Sequence, residues 1–95
     1  CINRSINIKL IIMRIKANIE SIEYRNSAPK YEKKVVTLVV NQEQTLFVEF
    51  RGYMMSKLDS YREGDEIQID FQFEGKTSKN SGIQYNNLVA TNVIN

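Results

Sequence analysis

Two stretches of the chain alternate apolar and polar residues with the period of a β-strand. Residues 45–51, TLFVEFR, and residues 67–74, IQIDFQFE, place apolar side chains at every second position. A period of two is typical of a strand with one buried and one exposed face. The side chains predicted to face inward are Leu46, Val48, Phe50, Ile67, Ile69, Phe71 and Phe73.

The segment between these stretches predicts a short helix and a tight turn. Gly52 ends the first strand, and apolar residues then recur at helical spacing, which gives about two turns with one apolar face. These residues are Met54, Met55, Leu58 and Tyr61. Residues 63–65, EGD, have turn chemistry, and Gly64 is free to adopt the positive φ that closes the helix.

Two further strands precede this unit. Residues 13–24 alternate in hydrophobicity, but the apolar phase slips at residues 20–21, which predicts a β-bulge. Residues 34–41 form a valine-rich strand that is apolar on both phases, and residues 41–44 turn the chain into the next strand. Because a bulge bends a long strand, the first strand is suited to the wall of a barrel.

A fifth strand is predicted over residues 83–94. Its inward positions are Leu88 and Ala90, with Val93 inward after another slip of phase. A polar, basic loop at residues 76–82 precedes it. The glycines are all predicted to lie at turns, at Gly52, Gly64, Gly75 and Gly82.

The predicted order of elements is three strands, one helix and two strands. One short helix cannot cover the faces of a five-stranded sheet, so the sheet is expected to close into a small barrel. This order predicts an all-β fold with one short helix, a five-stranded OB-fold barrel whose helix lies between strands three and four. The chain of 95 residues is long enough for one such domain, which we place at residues 13–95.

Residues 1–12, CINRSINIKLII, are predicted to be an N-terminal extension outside this domain. Their composition resembles translated AT-rich flanking DNA, so the segment is expected to be non-native, with Met13 as the natural start. The alternative is an additional strand, because positions 6, 8, 10 and 12 are all apolar. A signal peptide is not expected, since Arg4 and Lys9 interrupt the apolar stretch.

Composition narrows the classes of function. Apolar residues make up 42% and charged residues 25% of the chain, which is ordinary for a soluble globular domain. No apolar run approaches the roughly 20 residues that a membrane helix needs. Nothing marks secretion, so we expect a cytoplasmic protein that has no membrane partner.

The sequence contains no motif for catalysis or cofactor binding. It has no histidine, and its single cysteine is Cys1, so the common nucleophile and general-base pairs are missing. There is no glycine-rich phosphate loop. Five acids near the fourth strand resemble a metal site, but their alternation predicts a solvated strand face: Glu63, Asp65, Glu66, Asp70 and Glu74. We therefore expect no enzymatic activity, no metal and no cofactor.

Positive charge is concentrated in two predicted loops. The chain carries a net charge of +2, but Arg4 and Lys9 account for it, and the rest is balanced. The argument for an anionic ligand therefore depends on where the charges lie. The cations around the two loops are Arg25, Lys30, Lys33 and Lys34 for the first and Lys76 and Lys79 for the second. In an OB-fold these two loops flank a ligand groove on strands two and three.

Aromatic residues accompany these cations. Phe47 falls on the outward phase of the third strand, and Arg51 shares that face. Tyr24 and Tyr31 bracket the first loop, and Tyr85 follows the second. Proteins that bind single-stranded nucleic acid stack bases on exposed rings, so the coincidence of rings and cations predicts such a site. Each residue also has a purely structural interpretation, in which Phe47 closes a barrel end or packs in a dimer.

The chain also resembles a known group of proteins. The segment VTLVV, the segment from Thr45 to Gly75 and the ending YNNLVATNVI are similar to small OB-fold proteins of bacteria and phages that resemble single-stranded-DNA-binding proteins. Many of these are known only as domains of unknown function. The shared features are a strand ending in Gly52, a short helix with Leu58, the turn at Gly64, and a last strand with Leu88-x-Ala90. The resemblance implies single-stranded DNA binding in replication or repair, by a dimer or tetramer.

Two hypotheses of different classes follow. The first is a sequence-tolerant binder of single-stranded nucleic acid, DNA in preference to RNA, that acts as a homo-oligomer. The second is an interaction or assembly subunit that does not bind nucleic acid, because the second strand is apolar on both of its faces. A carbohydrate- or protein-binding OB module is a third alternative, since the fold alone does not determine the function.

Overall fold

The computed structural model describes residues 13–26 and 32–94 of the chain. Its elements are β1 (Met13–Asn26), β2 (Glu32–Val40), β3 (Gln44–Arg51), a 3₁₀ helix (Gly52–Leu58), β4 (Glu66–Thr77) and β5 (Gln84–Ile94). The strands form a closed barrel in the order β1-β2-β3-β5-β4. This confirms the predicted all-β fold, a five-stranded barrel consistent with an OB-like fold. The part of the N-terminal extension prediction that concerns residues 1–12 lies outside the described residues, as do Lys30 and Tyr31.

A β-bulge in β1 allows this strand to belong to two ladders. Its first part pairs with β4, from Met13 opposite Phe71 to Asn18 opposite Glu66. Its second part pairs with β2, and the register shifts between Ile19 and Ser21, where the slip of phase predicted a bulge. The turn before β4 holds the bulge, because the Ile19 N–H donates to the Asp65 carbonyl at 2.8 Å.

A second irregularity lies where β4 meets β5. Their register shifts between Asp70 and Phe71, which leaves Thr91 of β5 without a partner. This agrees with the predicted slip in the last strand, and Val93 packs against the core as predicted. The barrel closes between β3 and β5, the one parallel pair among the described strands, with only Val48–Leu88 and Glu49–Val89 in register.

The inward phases of the strands form one core. The side chains with the least exposure are Ile19, Val36, Leu38, Val48, Phe50, Ile67 and Ile69. The 3₁₀ helix contributes Met54 and Leu58, which are buried against the same cluster. Burying each of these side chains stabilises the fold by about 1.5–3 kcal/mol. The period-two prediction therefore holds for the body of the barrel.

The predicted helix and turn are present in altered form. The helix is a 3₁₀ helix that ends at Leu58, so Gly64 does not close it. Gly64 instead has a φ of 95° in the turn before β4, where its N–H donates to the Ile19 carbonyl at 2.7 Å. The predicted turn after β2 is confirmed, with positive φ at Asn41 and Gln42. None of the helices in the described residues is long and apolar enough to cross a membrane.

Three predictions for β4 are wrong. Phe73 is 60% exposed, because among the described residues β1 accompanies β4 only as far as Phe71. Gly75 lies within the strand and not at a turn, since β4 continues to Thr77. Asp70 is 8% exposed, because Arg14 on the neighbouring strand covers and binds its carboxylate.

Candidate binding groove on the outer face of the barrel

The outer face of β2 and β3 carries three of the residues that the sequence pattern assigned to a binding surface, Lys33, Phe47 and Arg51. Three consecutive cross-strand pairs on this face are Lys33 with Arg51, Val35 with Glu49, and Thr37 with Phe47. Side chains that are directly opposite in an antiparallel pair lie close enough to contact each other. The pairing therefore produces a charged end, a middle and an aromatic end along one surface.

A groove with a volume of about 530 Å³ borders this face. It lies beside the first halves of β3 and β5, before the point where those strands pair. Val35 and Glu49 are only 9% and 8% exposed, so they form its floor. Asn86 and Asn87 line it from β5, and Arg25 lines it from β1. The groove therefore combines apolar, charged and amide surface.

Phe47 is the aromatic residue of the groove lining, and it is strongly exposed. Its side chain belongs to the outward phase of β3, and the residue is 63% exposed. Its cross-strand neighbour is Thr37, which is too small to cover a phenyl ring. The ring is therefore available to a ligand in the groove, and the predicted outward orientation is confirmed.

Arg51 is fixed by carboxylates on two strands. Its Nη2 and Nη1 donate to Oε1 and Oε2 of Glu74 at 2.9 and 3.1 Å, and its Nε donates to Glu49 Oε1 at 2.9 Å. The hydrogen bond from Arg51 lowers the pKa of Glu74 to about 2. The same hydrogen bond to Glu74 raises the pKa of Arg51 above its ordinary value. This pair spans β5, whose outward Val89 is only 8% exposed.

Two lysines and an asparagine contact the carboxylates that bind Arg51, and we call the whole network the groove cluster. Lys33 Nζ lies 3.2 Å from Glu49 Oε2, so this carboxylate is shared between Lys33 and Arg51. Lys76 Nζ lies 3.8 Å from Glu74, and the Asn87 amide donates to the same carboxylate at 3.5 Å. The groove cluster consists of Lys33, Glu49, Arg51, Glu74, Lys76 and Asn87.

Most of the predicted cations have a carboxylate partner. Arg25 is paired with Glu23 at 2.6 Å, and Lys34 lies 3.8 Å from Asp59. In the part of the chain that the structure describes, Lys79 is the one predicted cation without a salt bridge. Counting charges loop by loop missed this balance, because the acids lie outside the predicted loops, on β1, β3 and β4 and directly after the 3₁₀ helix.

The structure brings some of the predicted residues together and separates others. Lys33, Phe47 and Arg51 share the outer face of β2 and β3. Tyr24 and Lys34 form a cross-strand pair on the opposite phase of the β1–β2 hairpin, so they do not share that face. Lys76 and Tyr85 are paired on the β4–β5 hairpin.

Little apolar surface remains on the outer phase of β2. Val35 is 9% exposed in the groove floor, and Val39 is half-buried beside Asn18 of β1. The assembly hypothesis depended on the apolar residues on both faces of this strand. It stays a prediction, with less surface for a partner than the sequence suggested.

Within residues 13–26 and 32–94, no group of three or more acidic, cysteine or histidine side chains is placed to hold a metal ion.

Comparison with known proteins does not add a family. No protein-family model matches the chain, and no curated protein matches it in sequence. The functional argument therefore depends on the geometry of the groove.

Proposed function

We propose that this protein binds single-stranded DNA along the outer face of β2 and β3 and in the adjoining groove. The observation that supports the proposal is Phe47, an exposed ring on the lining of a groove whose floor is otherwise buried. The ring of Phe47 is exposed to water in the free protein and would be buried by a bound ligand. Such a ring favours a ligand with a flat apolar face. Nucleobases have such faces, and stacking one base on an aromatic side chain contributes about 1–3 kcal/mol.

The polar groups of the groove suit the remainder of a nucleotide. Asn86 and Asn87 each offer an amide donor and acceptor, which match the edges of bases. Arg25, Lys33 and Arg51 border the same surface and match phosphate. None of these groups selects one base, so the interface favours binding without sequence preference.

The ion pairs predict an unusual salt dependence. A phosphate that contacts Arg51 has to displace a carboxylate, so the contact releases fewer counterions than a contact with a free cation. Three contacts made by free cations, one for each of Arg25, Lys33 and Arg51, would give a slope of about −2.1 in log affinity against log salt for a single strand. We expect a clearly shallower slope, because stacking contributes more of the affinity than phosphate contacts.

The test is fluorescence anisotropy of labelled oligo-dT with the full chain and with Phe47→Ala. We expect the substitution to weaken binding by about five- to a hundredfold, which is the cost of losing one stacked base. Tyr53→Ala is the matched control, because Tyr53 is an aromatic residue, 75% exposed, that does not line the groove. Equal effects of the two substitutions, or no effect of Phe47→Ala, would contradict the proposed site.

Two further measurements refine the proposal. A parallel titration with oligo-U measures the preference for DNA over RNA, and equal affinities would extend the proposed function to RNA. Light scattering of the full chain measures the oligomeric state, for which the resemblance implies a dimer or tetramer. A strict monomer that still binds oligo-dT would retain the function and contradict only the oligomer.

A further inference from the structure

The β4–β5 hairpin carries a second exposed phenyl ring. Phe73 is 60% exposed, and its ring meets the ring of Phe71 edge-on, with centroids 5.8 Å apart and planes at 77°. Phe71 is itself part of the buried core, so one side of Phe73 is held while much of the ring remains free. The ring is therefore positioned before any ligand arrives.

Gly75 lies next to Phe73 on the same phase of β4 and leaves a gap in the hairpin surface. Its φ is not positive, in contrast to the other three glycines. A Cβ at this position would meet only the Asn86 Oδ1 at 3.7 Å, which is an ordinary contact. Neither backbone strain nor crowding requires glycine here, although glycine is a poor strand residue. A glycine inside a strand often marks the close approach of a ligand or of another backbone.

Amide side chains surround this gap. Asn86 is the cross-strand partner of Gly75, and Gln84 is the partner of Thr77, the next residue on the same phase. All four residues, with Lys76 and Tyr85, line a recess of about 380 Å³. Amides carry both donors and acceptors, so they match the hydrogen-bonding edge of any base.

We infer that the β4–β5 hairpin is a second base-binding subsite, in which a nucleobase stacks on Phe73, lies over Gly75 and turns its edge to Asn86 and Gln84. This inference rests on the proposed function, because the base belongs to the same strand that occupies the groove. Asn86 lines both the groove and the recess, so the two cavities meet at this residue. A strand that occupies the groove can therefore extend over Asn86 to the face of the hairpin that carries Phe73.

The test separates affinity from stability with the full chain. Gly75→Thr fills the gap with a residue that strands favour, so we expect the melting temperature to stay or rise while the affinity for oligo-dT falls at least about fivefold. Phe73→Leu keeps an apolar side chain and removes the ring, and we expect a loss of about five- to a hundredfold. Ile83→Ala is the control, because Ile83 is 62% exposed at the tip of the same hairpin and does not line the recess.

Photo-crosslinking with oligo-dT that contains 5-iododeoxyuridine identifies the stacked rings directly. We expect mass spectrometry to map crosslinks to both Phe73 and Phe47. Crosslinks at Phe47 alone, or unchanged affinity in both hairpin variants while Phe47→Ala loses binding, would overturn the subsite and leave the proposed function intact. The subsite would also be overturned if Gly75→Thr lowered the melting temperature and crosslinks were found at Phe47 but not at Phe73. Gly75 would then have a structural role.

Two other results would contradict the proposed subsite. If the unmodified chain does not bind oligo-dT at low salt, the proposed function fails, and the subsite fails with it. If Phe73→Leu dissociates an oligomer in light scattering and leaves the affinity unchanged, the ring belongs to a protein interface and does not bind a base.

Discussion

Two arginines of this barrel bind carboxylates with nearly the same geometry but in different surroundings. Arg14 contacts both oxygens of Asp70 at 2.6 and 3.1 Å, and Arg51 contacts both oxygens of Glu74 at 2.9 and 3.1 Å. Arg14 and Asp70 are direct cross-strand partners on β1 and β4. Arg51 and Glu74 are on β3 and β4, with β5 between them.

This difference in position distinguishes a pair that only stabilises the fold from a pair that also borders the proposed binding site. The Arg14 pair joins two strands that already share a ladder. The Arg51 pair spans the narrow closure of the barrel and also shares its second carboxylate, Glu49, with Lys33 at the floor of the groove. The same chemistry therefore stabilises the fold in one place and, in the other, also holds a guanidinium where a phosphate would arrive.

Among substitutions in these two ion pairs, the largest combined effect on stability and binding is expected for Arg51→Ala. This change leaves the buried Glu49 with Lys33 as its one remaining cation and removes the ion pair that spans β5. Loss of a partner by a buried polar group costs about 1–3 kcal/mol, so the free energy of unfolding should fall by roughly that amount. Affinity for oligo-dT should also fall, by roughly tenfold, because a charge-assisted contact disappears. Urea denaturation and anisotropy measure the two effects.

The control for this prediction is Arg25→Ala. Arg25 also lines the groove, but its partner Glu23 is exposed, so the change should weaken binding with little loss of stability. If Arg51→Ala were as stable as the unmodified chain, Arg51 would have no role in closing the barrel.

Glu74→Gln should change binding in the opposite direction. The glutamine keeps the shape of the side chain and removes the charge that competes with phosphate for Arg51. We expect the affinity for oligo-dT to rise a few-fold and the salt slope to steepen by up to about 0.7, because the phosphate contact of Arg51 then resembles a contact made by a free cation. Anisotropy across a salt series measures both quantities. Unchanged affinity and slope would show that Arg51 does not contact phosphate.

The sequence predicted the body of this barrel because one rule, the period of two, governs a strand with neighbours on both sides. Val48, Phe50 and Ile69 are buried as that rule requires. The rule failed at Phe73, because periodicity does not reveal where a neighbouring strand stops accompanying β4.

The candidate site was harder to predict than the core. Phe47 was found because an outward phenylalanine departs from the pattern of its strand. The pairing of Arg51 with Glu74 was missed, because these residues are 23 positions apart and come together only through the register of β5. Charge counts along the sequence showed an excess of cations, and the folded sheet places carboxylates beside them.

The Arg51–Glu74 pair is also expected to make stability depend on pH, with a smaller effect than the substitutions above. Arg51 lowers the pKa of Glu74 from 4.5 to about 2, so the ion pair stabilises the fold fully above pH 4.5. That contribution is lost as the pH falls through about 2. The melting temperature of the unmodified chain should therefore fall more steeply below pH 4.5 than that of Glu74→Gln, so the two curves converge in acid. Parallel curves would show that the pair does not contribute to stability.

The smallest effect on binding is expected for Asp70→Asn, the counterpart of Glu74→Gln in the structural pair. Arg14 lowers the pKa of Asp70 through the hydrogen bond between them, so the carboxylate is charged and stabilises the fold above its ordinary pKa. Asparagine cannot accept both of the Arg14 hydrogen bonds, so the melting temperature should fall at neutral pH. Affinity for oligo-dT and its salt slope should stay unchanged, because neither Arg14 nor Asp70 lines the groove. An increase in affinity equal to that of Glu74→Gln would mean that any added positive charge attracts DNA, and Arg51 would lose its special position.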